Sequence, residues 1–158
     1  MQSLDNAIIE AYWGIVLDKS RVVLPSEFVD TLDNRRIYTP QTHLNYDEFF
    51  VFSEAAHIEF LSNLRNLRDR AQNMRDYRSM SLIRDIINLI SSENPQTVGG
   101  NNIIYITEKC RNKFPIGGYY IAKKIKDGIM SVVTLPHFFE YYFKQNKRGI
   151  EFKFQPTP

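Results

Sequence analysis

The sequence predicts an α+β fold: two pseudo-repeated halves, each holding a β-hairpin, with helices between and after them. Three observations carry that expectation. The skeleton Arg-x-x-apolar-Pro occurs twice, at Arg21-Val22-Val23-Leu24-Pro25 and at Arg111-Asn112-Lys113-Phe114-Pro115. Each copy follows a short apolar run (Gly14 to Leu17; Ile103 to Ile106) and a polar corner (Asp18-Lys19-Ser20; Thr107-Glu108-Lys109-Cys110). A strand, a tight polar turn ending in Arg, then a strand stopped by Pro describes a hairpin, because Pro cannot donate to a ladder. The junctions Phe50-Val51-Phe52-Ser53 and Val133-Thr134-Leu135-Pro136 rhyme independently as strand-to-helix transitions, which points to internal duplication. The expected division is 1–98, a hairpin half plus a helical pair, and 99–158, a second hairpin half with a C-terminal helix and tail.

Residues 1–11 read as a short helix or arm. Trp13 to Leu17 and Val22 to Leu24 are apolar and β-branched, so they are strand-like. Ser26 is placed to cap a short helix over Glu27 to Leu32. Ile37-Tyr38-Thr39 reads as a third strand, followed by a loop through Pro40, His43, Asn45 and Tyr46. Phe49-Phe50-Val51-Phe52 is a continuous apolar strand buried on both faces. From Ser53, Ile58, Leu61, Leu64 and Leu67 recur at helical spacing, and a second helical pattern runs through Met74, Tyr77, Met80, Ile83, Ile86, Ile87 and Ile90. Gly99-Gly100-Asn101-Asn102 is a turn. Asp127-Gly128 between Tyr119–Ile125 and Ile129–Leu135 is a hairpin signal. Pro136 suits the first turn of a helix carrying Phe138, Phe139, Tyr142 and Phe143, and Ile150 to Phe154 is extended.

Composition excludes several classes. Of 158 residues, 20 are basic and 18 acidic, a net charge of +2, so nucleic-acid binding requires a local cluster rather than a basic chain. The 11 Phe and 9 Tyr beside one Trp exceed the needs of a small core and favour subunit contacts. Cys110 is the only cysteine, so no disulfide forms within the chain. The opening Met1 to Asn6 has neither the basic nor the apolar region of a signal peptide, and no apolar run reaches bilayer-spanning length. A soluble cytoplasmic protein with no membrane partner is expected.

The stretch Leu17-Asp18-Lys19-Ser20-Arg21-Val22-Val23-Leu24-Pro25, with Glu27-Phe28 after it, resembles the signature of the MraZ family: Asp-x-x-Gly-Arg, an apolar strand, Pro and a short helix. Phe49 to Leu67 looks like the family's apolar strand and Leu-rich helix, and Tyr119 to Gln145 looks like the second-half partner. The resemblance spans roughly residues 12 to 145. It implies AbrB-type swapped-hairpin halves and a transcriptional regulator that assembles as a homo-oligomeric ring and binds short DNA repeats near cell-division genes. This chain departs from the pattern: Ser20 replaces the signature glycine and Cys110 replaces it in the second copy. Asp18 stands three residues before Arg21 rather than four, Thr107 occupies the second acid position, and Val29 stands where the family often has Arg. A corner without glycine must avoid positive φ or absorb strain.

Candidate DNA contacts are Lys19, Arg21, Arg35, Arg36, Lys109, Arg111 and Lys113. A corner arginine either enters a groove or clamps phosphate, or pairs with Asp18 across its own turn. Arg35 and Arg36, with the arginines from Arg65 to Arg84, either follow a DNA backbone, form a solvated face interleaved with Asp69, Asp76 and Asp85, or meet another subunit. His43, His57 and His137 lack metal-ligand spacing, and one cysteine builds no thiolate site. Gly99-Gly100 and Gly117-Gly118 are isolated turn glycines, not a phosphate loop. Nothing in the sequence joins Cys110 to His57 as nucleophile and base, and Asp47-Glu48 reads as loop solvation. No catalytic residue, metal, cofactor or small-molecule substrate is therefore expected. The alternative to a DNA-binding regulator is a structural or assembly subunit, as of a phage particle, that keeps the fold without reading DNA.

Overall fold

The computed structural model describes residues 8–40, 46–91, 95–143 and 151–157. The chain is α+β. Its first part runs β1 (Ile8–Ile15), β2 (Arg21–Val23), α1 (Ser26–Val29), β3 (Arg36–Tyr38) and β4 (Glu48–Ser53). The helical pair α2 (Glu54–Asn73) and α3 (Tyr77–Ser91) follows. The second part runs β5 (Gln96–Thr97), β6 (Ile103–Tyr105), a 3₁₀ turn (Glu108–Lys113), β7 (Tyr119–Lys126), β8 (Ile129–Thr134), α4 (Leu135–His137) with a π turn (Phe138–Phe143), and β9 (Glu151–Pro156).

Seven strands form one sheet in the order β5-β3-β4-β8-β7-β1-β9, while β2 and β6 form a separate two-stranded ribbon. Outward from the antiparallel β4/β8 pair, the sheet reads the same both ways. On one side lie β3 and then β5; on the other lie β7 and then β1. Strands from both sides of the 98/99 boundary thus pair within one chain. β9 adds parallel to β1 at the edge.

Period-two alternation sorts the strand side chains between two layers. Phe49 and Val51 of β4, Tyr120 and Ala122 of β7, and Met130 and Val132 of β8 share one core cluster with Val22, Leu24, Ile104 and Phe114 under the ribbon. Phe52, Ile129 and Ala56 form a cluster beneath α2, while Ala11, Ile121, Val133 and Phe138 form another beside α4. Phe49 to Phe52 thus contribute to both layers, as the unbroken apolar run requires. The helical pair carries its own core of Leu61, Ala71, Ile83, Ile87 and Ile90.

Local signals account for most boundaries. Ser53 caps α2 by accepting from the Ala56 N–H at 3.1 Å. α2 ends with Arg75 at φ 59° and the Asp76 N–H bonded to the Ala71 carbonyl at 2.8 Å, a left-handed C-terminal motif without glycine. Asp76 then accepts from the Ser79 N–H at 3.1 Å, opening α3. Gly128 adopts φ +83° in the β7–β8 turn, as Asp-Gly predicts.

Five expectations are corrected. The Arg21 strand does not form a hairpin ladder with the run before it: β2 pairs with β6, β1 pairs with β7 and β9, and only Leu17 bridges Arg21 across the corner, because the left-handed Lys19 and Ser20 turn β2 out of the sheet. Arg111 to Lys113 are not a strand but part of the 3₁₀ turn, because Cys110-Arg111-Asn112-Lys113 lacks the β-branched character of Val22-Val23. Pro25, not Ser26, holds the N-cap position of α1, with no side-chain capping bond. Ile8 to Ala11 are strand rather than helix, paired with β9 and, at Ala11, with β7. The helix opened by Pro136 passes into a π turn after His137. His43 and Asn45 lie outside the described residues.

Candidate nucleic-acid interface

The first corner joins Leu17 to Arg21, whose backbones bridge with the Leu17 N–H donating to the Arg21 carbonyl at 2.8 Å. Lys19 (φ 58°) and Ser20 (φ 55°) are both left-handed. The corner therefore absorbs the strain of lacking glycine, on the order of 1–2 kcal/mol per residue. Two sets of bonds offset it. The Ser20 carbonyl accepts from the Ile106 N–H at 2.9 Å. The Arg21 guanidinium donates to the Asp18 carboxylate at 2.7 Å and to the Asp18 carbonyl at 3.1 Å. Arg21 thus pairs across its own turn, yet its side chain remains 27% exposed and Asp18 is 73% exposed.

The corner feeds the ribbon, where Arg21 faces Tyr105, Val22 faces Ile104 and Val23 faces Ile103. Val22 and Ile104 are fully buried, so Arg21, Val23, Ile103 and Tyr105 form the outward face, with Tyr105 49% exposed. Beyond Tyr105, the Arg111 Nε donates to the Ile106 carbonyl at 3.1 Å. Ile106 therefore links the two arginine-bearing turns: its amide holds Ser20 and its carbonyl holds Arg111. Lys109, Arg111 and Lys113 are exposed on this turn. Lys19, Arg21 and Arg111 come to one end of the ribbon with Asp18, while Lys109 and Lys113 lie on the same turn as Arg111.

Arg35 and Arg36 belong elsewhere. Arg35 donates to the Val98 carbonyl at 3.2 Å, the Gly99 carbonyl at 2.8 Å and Asn102 Oδ1 at 3.4 Å, so its guanidinium braces the far end of the ribbon while the residue stays exposed. Arg36 is exposed at the start of β3, opposite Thr97. The arginines of α2 and α3 lie on the helical pair, where Arg68 pairs with Asp69 at 3.6 Å.

A second corner, not foreseen as a site, opens β6. Asn101 (φ 60°) and Asn102 (φ 62°) have the left-handed φ pair of Lys19–Ser20, as do Asn34 and Arg35 (both 54°) before β3, and Ile103 follows the pair as Arg21 follows Ser20. Arg111 lies six residues beyond β6, in the turn that follows. The signal was present in the asparagines, which tolerate the left-handed region. Chemical identity hid it, because the two corners share backbone and no side chain.

The flank beside α1 has the opposite charge. A pocket of about 460 Å³ between β1, α1 and the β7–β8 turn is lined by Glu10, Glu27 and Asp127 with Lys124. The Tyr12 phenol in it donates to Glu27 at 2.6 Å and lies 3.1 Å from Glu10. Burial, then these carboxylates, raise its pKa well above the ordinary tyrosine value. On the α4 side, Trp13, Tyr119, Phe139 and Phe154 line an apolar concavity of about 370 Å³.

Cys110 sits in the core under the ribbon, its thiol pKa pushed up by burial, whereas His57 is on the buried face of α2, stacked on Tyr38 at 3.8 Å. They belong to separate layers. Among the described residues, no group of three or more His, Cys, Asp or Glu is arranged to hold a metal ion, and no helix is long and apolar enough to cross a membrane. Comparison with protein-family models and with curated proteins gave no match to the chain.

Proposed function

We propose that this protein is a DNA-binding transcriptional regulator of MraZ type, acting as a homo-oligomer. The order of elements supports the kinship. β1, β2, α1, β3, β4 and α2 correspond in turn to β5, β6, the 3₁₀ turn, β7, β8 and α4. Within the sheet, β1 pairs with β7 and β5 pairs with β3, so with β5 counted to the second part, just before the expected 98/99 boundary, each part lends its first strand to the other. That exchange is what swapped-hairpin halves require. The observation that carries the DNA reading is the Ser20–Ile106 bond, which draws the cations of two distant segments to one ribbon end. Cations gathered there attract phosphate and release counterions, and a two-stranded ribbon fits a major groove.

The test is an electrophoretic mobility shift on DNA from upstream of the protein's own coding sequence, at low and rising salt. Retardation that weakens steeply with salt, and falls for Arg21→Ala with assembly unchanged, is the expected result. No shift at low salt overturns the reading. The second reading, an assembly subunit without DNA contact, is favoured by the Trp13, Tyr119, Phe139 and Phe154 concavity and by the Asp18 partner of Arg21. Under it, Arg21→Ala changes neither DNA retention nor sedimentation.

A further inference from the structure

The two ends of the ribbon are chemically unequal. Arg21 and Tyr105 face outward at one end, Val23 and Ile103 at the other. Past Ile103 stands the second corner. There Asn102 is engaged, its amide donating to Ser26 Oγ at 3.2 Å and its Oδ1 accepting from Arg35 at 3.4 Å. Asn101 is exposed, at φ 60° where the corresponding Lys19 has 58°. Beside the Arg35 guanidinium, which is tied to Val98, Gly99 and Asn102, this end therefore offers one neutral amide and two apolar side chains.

We infer that, when the ribbon binds DNA as proposed above, its Asn101–Ile103 end reads an A·T pair in the major groove. A terminal amide donates to adenine N7 and accepts from adenine N6, a pairing that no other base edge completes. The thymine methyl is the apolar feature of that groove, and Ile103 and Val23 are matched to it. The opposite end, with Arg21, suits guanine O6 and N7 or a phosphate. Arg21 and Ile103 stand two residues apart along the ribbon. At about 3.4 Å per residue that is roughly 7 Å, or about two base-pair steps at about 3.4 Å each. The inference rests on the DNA reading and adds to it a composition and a spacing.

Selection from a random duplex library, using the full chain at low salt, tests it. The expected enriched site carries an A·T pair about two steps from the position that Arg21→Ala relaxes. Asn101→Gly keeps the left-handed corner, which glycine adopts freely, and removes the amide. It is expected to lower the preference for that A·T pair by about tenfold, consistent with the value of one bidentate contact, while affinity for unselected DNA stays within about twofold. Replacing the thymine by uracil, which deletes only the methyl, is expected to weaken the wild type and to leave Ile103→Ala unaffected. An enriched site with no A·T pair at that offset overturns the inference and leaves the DNA reading standing, as does an Asn101→Gly profile identical to wild type. Failure of the wild type to retain any duplex removes both.

Discussion

Tyr120 and Val23 are joined by two hydrogen bonds: the buried phenol accepts from the Val23 N–H at 2.9 Å and donates to the Val23 carbonyl at 2.8 Å. One side chain of β7 thus serves as the strand partner of a ribbon residue and docks the ribbon onto the sheet. Gly14 on β1 makes room for it, since a side chain at that position would overlap the Tyr120 ring and hydroxyl.

Tyr120→Phe keeps the packing and leaves both backbone groups of Val23 without this partner. Buried unsatisfied groups cost about 1–3 kcal/mol each, so a loss of about 2 kcal/mol or more is expected. In urea unfolding the midpoint should fall with little change in slope. An unchanged midpoint would mean that Val23 finds water in place of the phenol.

Much of the scaffold was legible in the sequence, because local chemistry dictates it. Ser53 announced α2, Asp127-Gly128 the β7–β8 hairpin, and the Phe49–Phe52 run a strand between two layers. The turn after β6 was less legible: Arg111 shares the Arg-x-x-apolar-Pro skeleton with Arg21 but lies in a 3₁₀ turn, whereas the left-handed pair of Lys19–Ser20 recurs at Asn101–Asn102, which share φ and no side chain. Long-range placement was equally hidden. Lys123, Lys124 and Lys126 look alike in a strand, but only Lys123 is buried, across from Ser131. There Ser131 donates to Glu48, and burial lowers the Lys123 pKa against the opposing pull of Glu48. Arg35 is exposed, but its bracing role was hidden because the carbonyls it bonds, Val98 and Gly99, lie more than sixty residues away.

Gly128→Ala is expected to destabilise the β7–β8 hairpin by about 2 kcal/mol or more. Its φ of +83° disfavours a side chain, and a Cβ there would approach Ser53 Oγ at 2.6 Å and Ala56 Cβ at 3.0 Å. Because Ser53 caps α2 and its N–H donates to the Gly128 carbonyl at 2.8 Å, the damage should spread into the first turn of α2. Faster amide exchange at Ala56 would register it. Loss of protection confined to residues near 128 would argue against that coupling.

His57 predicts an acid-sensitive step. It is buried, stacked on Tyr38, and its Nε2 has no hydrogen-bond partner among the described residues. Burial holds its pKa below the ordinary histidine value, with a bond to the Ile90 backbone opposing. The unfolded chain, with an ordinary value near ~6.5, therefore binds more protons as pH falls through that point. Stability is expected to drop as pH falls below about 6.5 and to level off beneath the folded-state pKa. His57→Phe, which keeps the stack, should flatten that part of the stability–pH curve; an equally steep curve would assign the proton uptake to another group.

Asp18→Asn separates the two roles of Arg21. Asp18 holds the guanidinium at 2.7 Å and adds a negative charge at the ribbon end where phosphate is expected. Because Asp18 is mostly exposed, the pair contributes less than about 1 kcal/mol to folding, and the variant should unfold close to wild type. Removing the charge leaves Arg21 in place with a neutral neighbour. Affinity for duplex DNA at low salt is then expected to rise about threefold to tenfold, with the gain shrinking as salt increases. Fluorescence anisotropy across a salt series reads both effects. A gain independent of salt would point to a reshaped corner, and a loss would mean that Asp18 presents Arg21 to the groove instead of restraining it.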